Sequence, residues 1–409
     1  SMKGPEDIDG ISNIKVTTEY TTEEITINVE VETTSEDIEY EYYVDGELKS
    51  TQKENSYTEK ITLENKEPYI PNGFRHTEGT VDTGYVIKDT SVGNEFVWIP
   101  VASGTFDIYV VAKDEEGNSM KSDEIALGIS ELTRTINAGG VTIEYTNWEE
   151  DDGDIKDKKS IAYFKESVVK NSGFYMGRYE MGMPGQKSGD APVLEFTREA
   201  RNIEGVPVCV GQVMPWTHID WSTAKKNLES MYNGEVESAM MNSYARTTML
   251  NWLMKTGAKT LAELESSGTW GIYRYDGGST YGSQYILNFR GNFYEYIPVD
   301  GECRYGRYNN YTDLSSSLEG AGIEIDIMID TGADTIPAKV TAANNIYDLA
   351  GNAGEWSTEG RKDDKTYRIS GGSFKDSYYA QPARDPSAGF HRNGTIGDDS
   401  ISSRPILYK

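Results

Sequence analysis

Residues 25–32 read ITINVEVE, with Ile25, Ile27, Val29 and Val31 at every second position and polar side chains between them. A period of two puts all four apolar groups on one face of an extended chain, whereas a helix would scatter them. A half-buried strand is therefore the element this stretch specifies. Residues 38–50, IEYEYYVDGELKS, alternate again and run into Asp45-Gly46, a pair suited to a two-residue hairpin because both tolerate positive φ. From Gly104, GTFDIYVVAKDEEGNSMKSDEIAL reads as a strand, a polar turn and a closing strand. Short strands at this spacing predict an all-β sandwich over residues 11–130, with 1–10 a tag or linker.

That sandwich resembles the immunoglobulin-like or fibronectin-type repeats of bacterial surface proteins, although no cysteine pair pins its sheets. It is interrupted at 66–102, KEPYIPNGFRHTEGTVDTGYVIKDTSVGNEFVWIPVA, which is richer in Gly and Pro. The closing run EFVWIPV is apolar on consecutive residues and does not fit the alternating hairpins around it. It is expected to cross over and contribute a strand to the next domain; the alternative is a long decorated loop. The following domain, 131–409, mixes element types. GFYMGRYEMG from Gly173 reads as a strand and IDWSTAKKNLESMYN as a helix. A second helix is expected over SAMMNSYARTTMLNWLMKTG, where Met241, Tyr244, Ala245, Thr248, Leu250, Trp252 and Leu253 follow helical spacing and Gly257 supplies a stop. Beyond Gly268 the composition turns to Gly, Tyr, Asn and Ser, predicting loops and short strands.

A chain of 409 residues exceeds one ordinary core, so two domains are expected. The net charge of −28 argues against nucleic-acid binding, which needs a cationic face, and against docking on anionic lipid. It suits a soluble protein in a calcium-containing exterior, although acidic cytosolic proteins are also common; the location expected with a binding or display role is extracellular, on a bacterial surface or phage virion. No stretch is long and apolar enough to cross a membrane, and no membrane insertion is expected. The leading Ser-Met resembles a cloning remnant, so an export or anchor segment is expected to have been removed. Cys209 and Cys303 form no metal-spacing motif; they are either a pair or two unrelated thiols.

In order along the chain stand NEFVWIP, GFYMGRYE, PWTHIDWSTA, NIYDLAGNAGEW, YRISGGSF and SRPILY. Each is weak alone, but the ordered set resembles the formylglycine-generating-enzyme/sulfatase-modifying family. That resemblance implies an α+β C-type lectin-like domain with two helices, a small antiparallel sheet and long loops carrying the site. The fold class expected for the whole chain is this domain plus the immunoglobulin-like sandwich.

The family's enzyme oxidises a substrate cysteine with a pair of copper-holding cysteines shortly after its Gly-Gly-Ser motif, chemistry that needs soft thiolates. Here Gly371-Gly372-Ser373-Phe374 is followed by KDSYYAQPAR, which puts Asp376 and Gln381 at the corresponding places. Neither replaces a thiolate, so no copper and no catalysis are expected. His76, His218 and His391 are scattered without metal-ligand spacing, and no nucleophile elbow or phosphate loop occurs.

The C-terminal stretch 371–405 resembles the variable region of proteins diversified by diversity-generating retroelements, which lies between a Gly-Gly-Ser-type motif and a final strand. Related bacterial chains end in Gly-Phe-Arg-Pro, whereas this one reads Ser402-Ser403-Arg404-Pro405. The ligand-binding residues expected on this reading are Lys375, Asp376, Tyr378, Tyr379, Gln381, Arg384, Asp385, His391, Arg392, Asn393, Asp398, Asp399, Ser402 and Ser403. A Tyr-, Ser- and Asn-rich face follows paratope physics, with Tyr378, Tyr379, His391 and Arg392 as anchors for a protein or glycan on a cell surface. The alternatives are a solvated loop without a ligand, a sulfatase-modifying-type enzyme with altered chemistry, and a structural surface protein.

YDLAGNAGEW at 347–356 places Asp348 and Glu355 across a glycine-rich turn. Calcium takes hard oxygen ligands on a tightly curled chain. By the resemblance, Ca2+ would be held by Asp348, Glu355 and the carbonyls of Gly351 and Ala353. The competing reading is a metal-free turn in which Glu355 accepts backbone amides.

Overall fold

In a computed structural model of the chain, the alternating run lies inside the strand Glu24–Thr33. Ile25, Ile27 and Val29 are buried along one face of it. The structure describes residues 10–138, 140–144, 149–190, 201–265, 342–361, 366–371, 391–397 and 400–409, and strands at 274–275, 284–287, 293–299, 302–308 and 325–329. The chain divides into two units: Ser1–Lys66 with Val101–Glu131 and Val168–Ser172, and Glu67–Pro100 with Leu132–Ser167 and Gly173–Lys409.

The first unit is built from two antiparallel sheets. Ile11–Tyr20, Glu24–Thr33 and Ser56–Lys60 form one, in that order. In the other, Ser103–Asp114 lies between Ile38–Val44 and Ser119–Lys121, Glu47–Gln52 extends the edge, and Ile125–Ser130 also pairs with Ser103–Asp114. Ile25, Ile27 and Val29 share one apolar cluster with Tyr42, Val44, Ile108 and Val110 of the second sheet. Each such side chain contributes about 1.5–3 kcal/mol by leaving water. Tyr42 keeps its hydroxyl satisfied by donating to the Glu54 carbonyl at 2.7 Å. At the hairpin, Val44 faces Glu47 across Asp45 and Gly46, whose φ values of 51° and 77° match a turn with two positive-φ residues.

The second unit holds a six-stranded antiparallel sheet. Its order is Glu237–Met240, Pro405–Tyr408, Gly173–Gly177, Glu95–Pro100, Val86–Asp89, Phe74–Glu78. The segment 74–100 thus supplies three of the six strands rather than a loop. Gly173 is required there: a Cβ at this position would lie 2.3 Å from the Trp98 ring and 2.6 Å from the Ile99 carbonyl oxygen. A four-stranded sheet runs His391–Asn393, Thr366–Ser370, Gly354–Arg361, Ile401–Ser403, its last pair parallel. The helix Trp221–Glu229 is capped by Asp220, whose carboxylate accepts from the Thr223 amide. Asn242 does the same for Ser243–Lys255, and Gly257, at φ 76°, follows its end. This helix is not amphipathic as its spacing implied. Residues on nearly every face are buried, Arg246 included.

The expected fold class needs correction. Among the described residues strands far outnumber the four helices and are grouped in several antiparallel sheets, so the chain is mostly β. An α+β C-type lectin fold alongside an immunoglobulin-like sandwich is not what is seen. One reason lies past Gly268, where loops and short strands were expected. There, Gln284–Leu287, Phe293–Val299, Glu302–Tyr308, Ile325–Ile329 and Arg274–Tyr275 pair into a five-stranded sheet. The Tyr, Ile and Val in these runs favour strands. Four of the motifs behind the resemblance lie on strands, one carries the Asp220 cap and one the 347–356 turn; each constrains local geometry and leaves the total sheet content open.

Candidate functional site: a buried charge knot behind an open cleft

The turn at 347–356 curls through positive φ at Asp348 (57°), Gly351 (81°) and Asn352 (61°). Glu355 opens the strand Gly354–Arg361 and is completely buried. Its Oε2 accepts from Arg246 Nη1 at 2.6 Å, and its Oε1 accepts from Arg404 Nε at 2.6 Å, with Arg404 Nη2 also 2.6 Å away. The two guanidiniums then lace the turn to its surroundings. Arg246 Nη2 donates to the Leu349 carbonyl at 2.9 Å, while Arg404 donates to the carbonyls of Tyr347 (2.7 Å) and Gly177 (2.9 Å). From the other side, Glu180 accepts from the Asn352 side-chain amide (2.6 Å) and the Ala353 backbone amide (3.0 Å).

Burial pushes the Glu180 carboxyl well above its ordinary range, and the nearby charges of Asp348 and Glu355 push it further, against the pull of Arg404. Three carboxyls and two guanidiniums balance when Glu180 keeps its proton. These groups do not fit the calcium set of Asp348, Gly351, Ala353 and Glu355. Both Glu355 oxygens already serve guanidiniums, and a divalent ion there would face two buried positive charges. Nor, among the described residues, does Glu355 accept backbone amides as the metal-free reading had it; the Ala353 amide goes to Glu180, and those of Gly351 and Gly354 go to the carbonyls of Gly371 and Ser400.

The expected ligand-binding positions fall into three groups. Lys375, Asp376, Tyr378, Tyr379, Gln381, Arg384, Asp385, Asp398 and Asp399 lie outside the described residues. His391, Arg392 and Asn393 form a strand opposite Arg368, Tyr367 and Thr366. Ser402 and Ser403 are completely buried beside Glu355 and Trp356, with Ser403 Oγ donating to the Trp356 carbonyl at 3.2 Å. They are part of the packing and present no surface to a ligand. Cys209 is also buried, its Sγ 3.3 Å from the carbonyls of Glu95 and Tyr179, and burial pushes its thiol up to about 11. Burial disfavours the thiolate, the form that attacks as a nucleophile.

On the far side of residues 177–180 the second unit opens into a cleft of about 640 Å³, within the usual size for ligand sites. Tyr347, the first residue of the turn, stacks on Tyr179 with ring centroids 5.4 Å apart, and the Arg178 guanidinium lies 5.5 Å from each ring. Arg178 Nη1 donates to Glu78 (2.6 Å) and Glu95 (2.9 Å), and Nε donates to the Asn345 carbonyl (3.1 Å). Nη2 has no partner among the described residues, although Arg178 is only 7% exposed and lines the cleft. Glu95 is held in turn by Lys88 at 3.1 Å and by the Tyr179 hydroxyl at 3.1 Å. The knot and the cleft are joined through the Tyr347 backbone, whose amide donates to the Arg178 carbonyl while its own carbonyl accepts from Arg404.

Sequence reasoning passed over Arg178, Glu180, Arg246 and Arg404. The signal was present: each is a charge inside or beside an apolar run, a place charged side chains occupy when paired. Among the described residues no helix is long and apolar enough to cross a membrane. No family model matches the chain, and no curated protein matches it with significant similarity.

Proposed function

We propose that this chain is a non-catalytic ligand-binding protein that recognises a protein or glycan on a cell surface, working outside the cell. The observation that carries the reading is the cleft: a half-buried Tyr347 stacked on the buried Tyr179, beside an Arg178 whose Nη2 has no acceptor among the described residues, held in place by fixed ion pairs. Preorganised aromatic faces and oriented donors lower the ordering cost of binding. The acidic chain favours a soluble role, and its cleft gathers Arg75, Lys88, Arg178 and Lys187 on an otherwise anionic protein. The diversified-surface role read for 371–405 belongs to this proposal as a second contact region. The lack of cysteines in the stretch after Gly371-Gly372-Ser373 favours binding over sulfatase-modifying chemistry.

The test is retention of the intact chain on fixed bacterial cells, alongside a copper-supplemented peptide-oxidation assay. The expected result is saturable retention that Tyr347→Ala reduces about tenfold, with no oxidised peptide. Copper-dependent turnover, or retention untouched by Tyr347→Ala and by replacing residues 375–399 with a Gly/Ser linker, would sink the reading.

A further inference from the structure

A second cavity of about 300 Å³ adjoins the cleft, and both are lined by Asp89, Thr90 and Ser91. Those three residues form a ridge between two hollows. The ridge is rigid. Asp89 Oδ1 accepts from the Ser91 amide and hydroxyl, each at 2.7 Å, Oδ2 accepts from the Tyr232 hydroxyl at 2.6 Å, and the Thr90 amide donates to the Gly73 carbonyl at 2.9 Å. Burial of Asp89 works against its charge, yet these hydrogen bonds outweigh it and hold the carboxyl below its ordinary range, so the brace is ionised at neutral pH.

Each hollow has its own aromatic face. The larger has Tyr347 stacked on Tyr179; the smaller has Phe74 against Tyr232, ring centroids 5.5 Å apart, both half-buried. The charges differ. The larger hollow carries Arg75, Lys88, Arg178 and Lys187 against Glu78, Asp89 and Glu95, a net of +1 from four cations and three anions. Among the described residues, the smaller is lined by the charges of Asp89 and Glu235, the latter 3.7 Å from the Lys409 ammonium. The exposed Thr90 and Ser91 on the ridge, with Ser188 and Gln212 on the far wall, offer hydroxyl and amide groups that both donate and accept. Flat apolar faces two hollows apart, joined by such groups, match a chain of rings edged with hydroxyls. The unfilled Nη2 of Arg178 and the exposed Arg75 and Lys187 add a demand for a negative charge at one end.

We infer that the two hollows are adjacent subsites for an acidic oligosaccharide, with a carboxylated sugar unit over Tyr347 facing Arg178 and Arg75, and a neutral unit over Phe74. This rests on the ligand-binding reading above and names the ligand class for it. No bond is made or broken in the process.

The experiment is calorimetric titration of the intact chain with uronic-acid mono-, di- and trisaccharides, and with the same sugars after their carboxyls are reduced to alcohols. The expected result is binding that strengthens about tenfold from mono- to trisaccharide and weakens about tenfold on carboxyl reduction. Arg178→Gln risks the fold through Glu95, so the decisive variant is Arg75→Glu with Lys187→Glu, both exposed. It should lose the acidic sugars and keep the reduced ones. Equal affinity for acid and reduced sugars, or no gain with length, overturns the inference. So does a chain that stays on cells but binds neither sugar form, which leaves the ligand-binding reading standing; a chain that binds neither cells nor sugars defeats both.

Discussion

The two units keep different things dry. In the first, the interior is apolar: Ile25, Ile27, Val29, Ile108 and Val110 interlock, and the polar tip of Tyr42 finds a carbonyl. In the second, Trp98, Trp216 and Trp356 are buried beside Arg201, Arg404, Glu180 and Glu355. Apolar burial is nondirectional and tolerates many neighbours. A buried guanidinium tolerates few, since each donor must meet an acceptor at the right distance. The first unit is therefore held by pattern and the second by geometry, and the cleft with fixed donors lies in the second.

The sharpest way to break this contrast is to remove one buried charge. Arg404→Ala leaves Glu355 Oε1 and the carbonyls of Tyr347 and Gly177 without their Arg404 donor, with Arg246 alone on Glu355, and should cost about 3–5 kcal/mol in denaturant unfolding, the usual penalty for removing one partner of a buried ion pair. Arg404→Lys should recover little, because one ammonium cannot reach three acceptors from a forked geometry. A loss under about 1 kcal/mol would show that the knot is not a stabilising element. In the first unit, Ile27→Ala should cost about 2–5 kcal/mol, while Ile27→Val should cost about 0.5–1.5 kcal/mol, since the hollow left scales with the volume removed. Comparable loss for both substitutions would mean that shape, and not apolar volume, governs that interior too.

The pH response separates the units more gently. Because the folded-state pKa of Glu180 is raised above its unfolded value, the folded chain binds that proton more tightly. The resulting stabilisation is fully present below the unfolded carboxyl pKa and is lost as pH rises through the folded value. Stability measured upward from the ordinary carboxylate range should therefore decline, and Glu180→Gln should flatten that decline. An identical slope in the variant would assign the effect to another group. The smallest expected effect is that of a chelator. With guanidiniums on both Glu355 oxygens, adding one should leave the melting midpoint unchanged, and a calcium-dependent rise would restore the clasp read from the sequence.

Legibility followed the same divide. The hairpin at Asp45-Gly46, the strand 24–33 and the stop at Gly257 are local, and each shows in a few consecutive residues. The helix Ser243–Lys255 was visible as a helix, but its spacing gave no warning that Arg246 points inward to a carboxylate 109 positions away. The turn at 347–356 was read as a calcium clasp from residues within the turn, and its contacts with Arg246, Arg404 and Glu180 were not visible. Asp348 and Glu355 drew notice as a pair because they are near in sequence, whereas Glu180 and Arg404 reach the same place from 172 positions before Asn352 and 49 positions after Glu355.

By itself the sequence determined which segments alternate, where they turn, and that the chain carries a net charge of −28. These follow from short-range sterics and from charge, which need no neighbour to be evaluated. Only the tertiary structure decided that the chain is mostly β-sheet, that Glu355 is answered by arginines, and that Tyr347, Tyr179 and Arg178 face one cleft. Sheet pairing and buried ion pairs join residues far apart in the chain, and their energy exists only once the distances have closed.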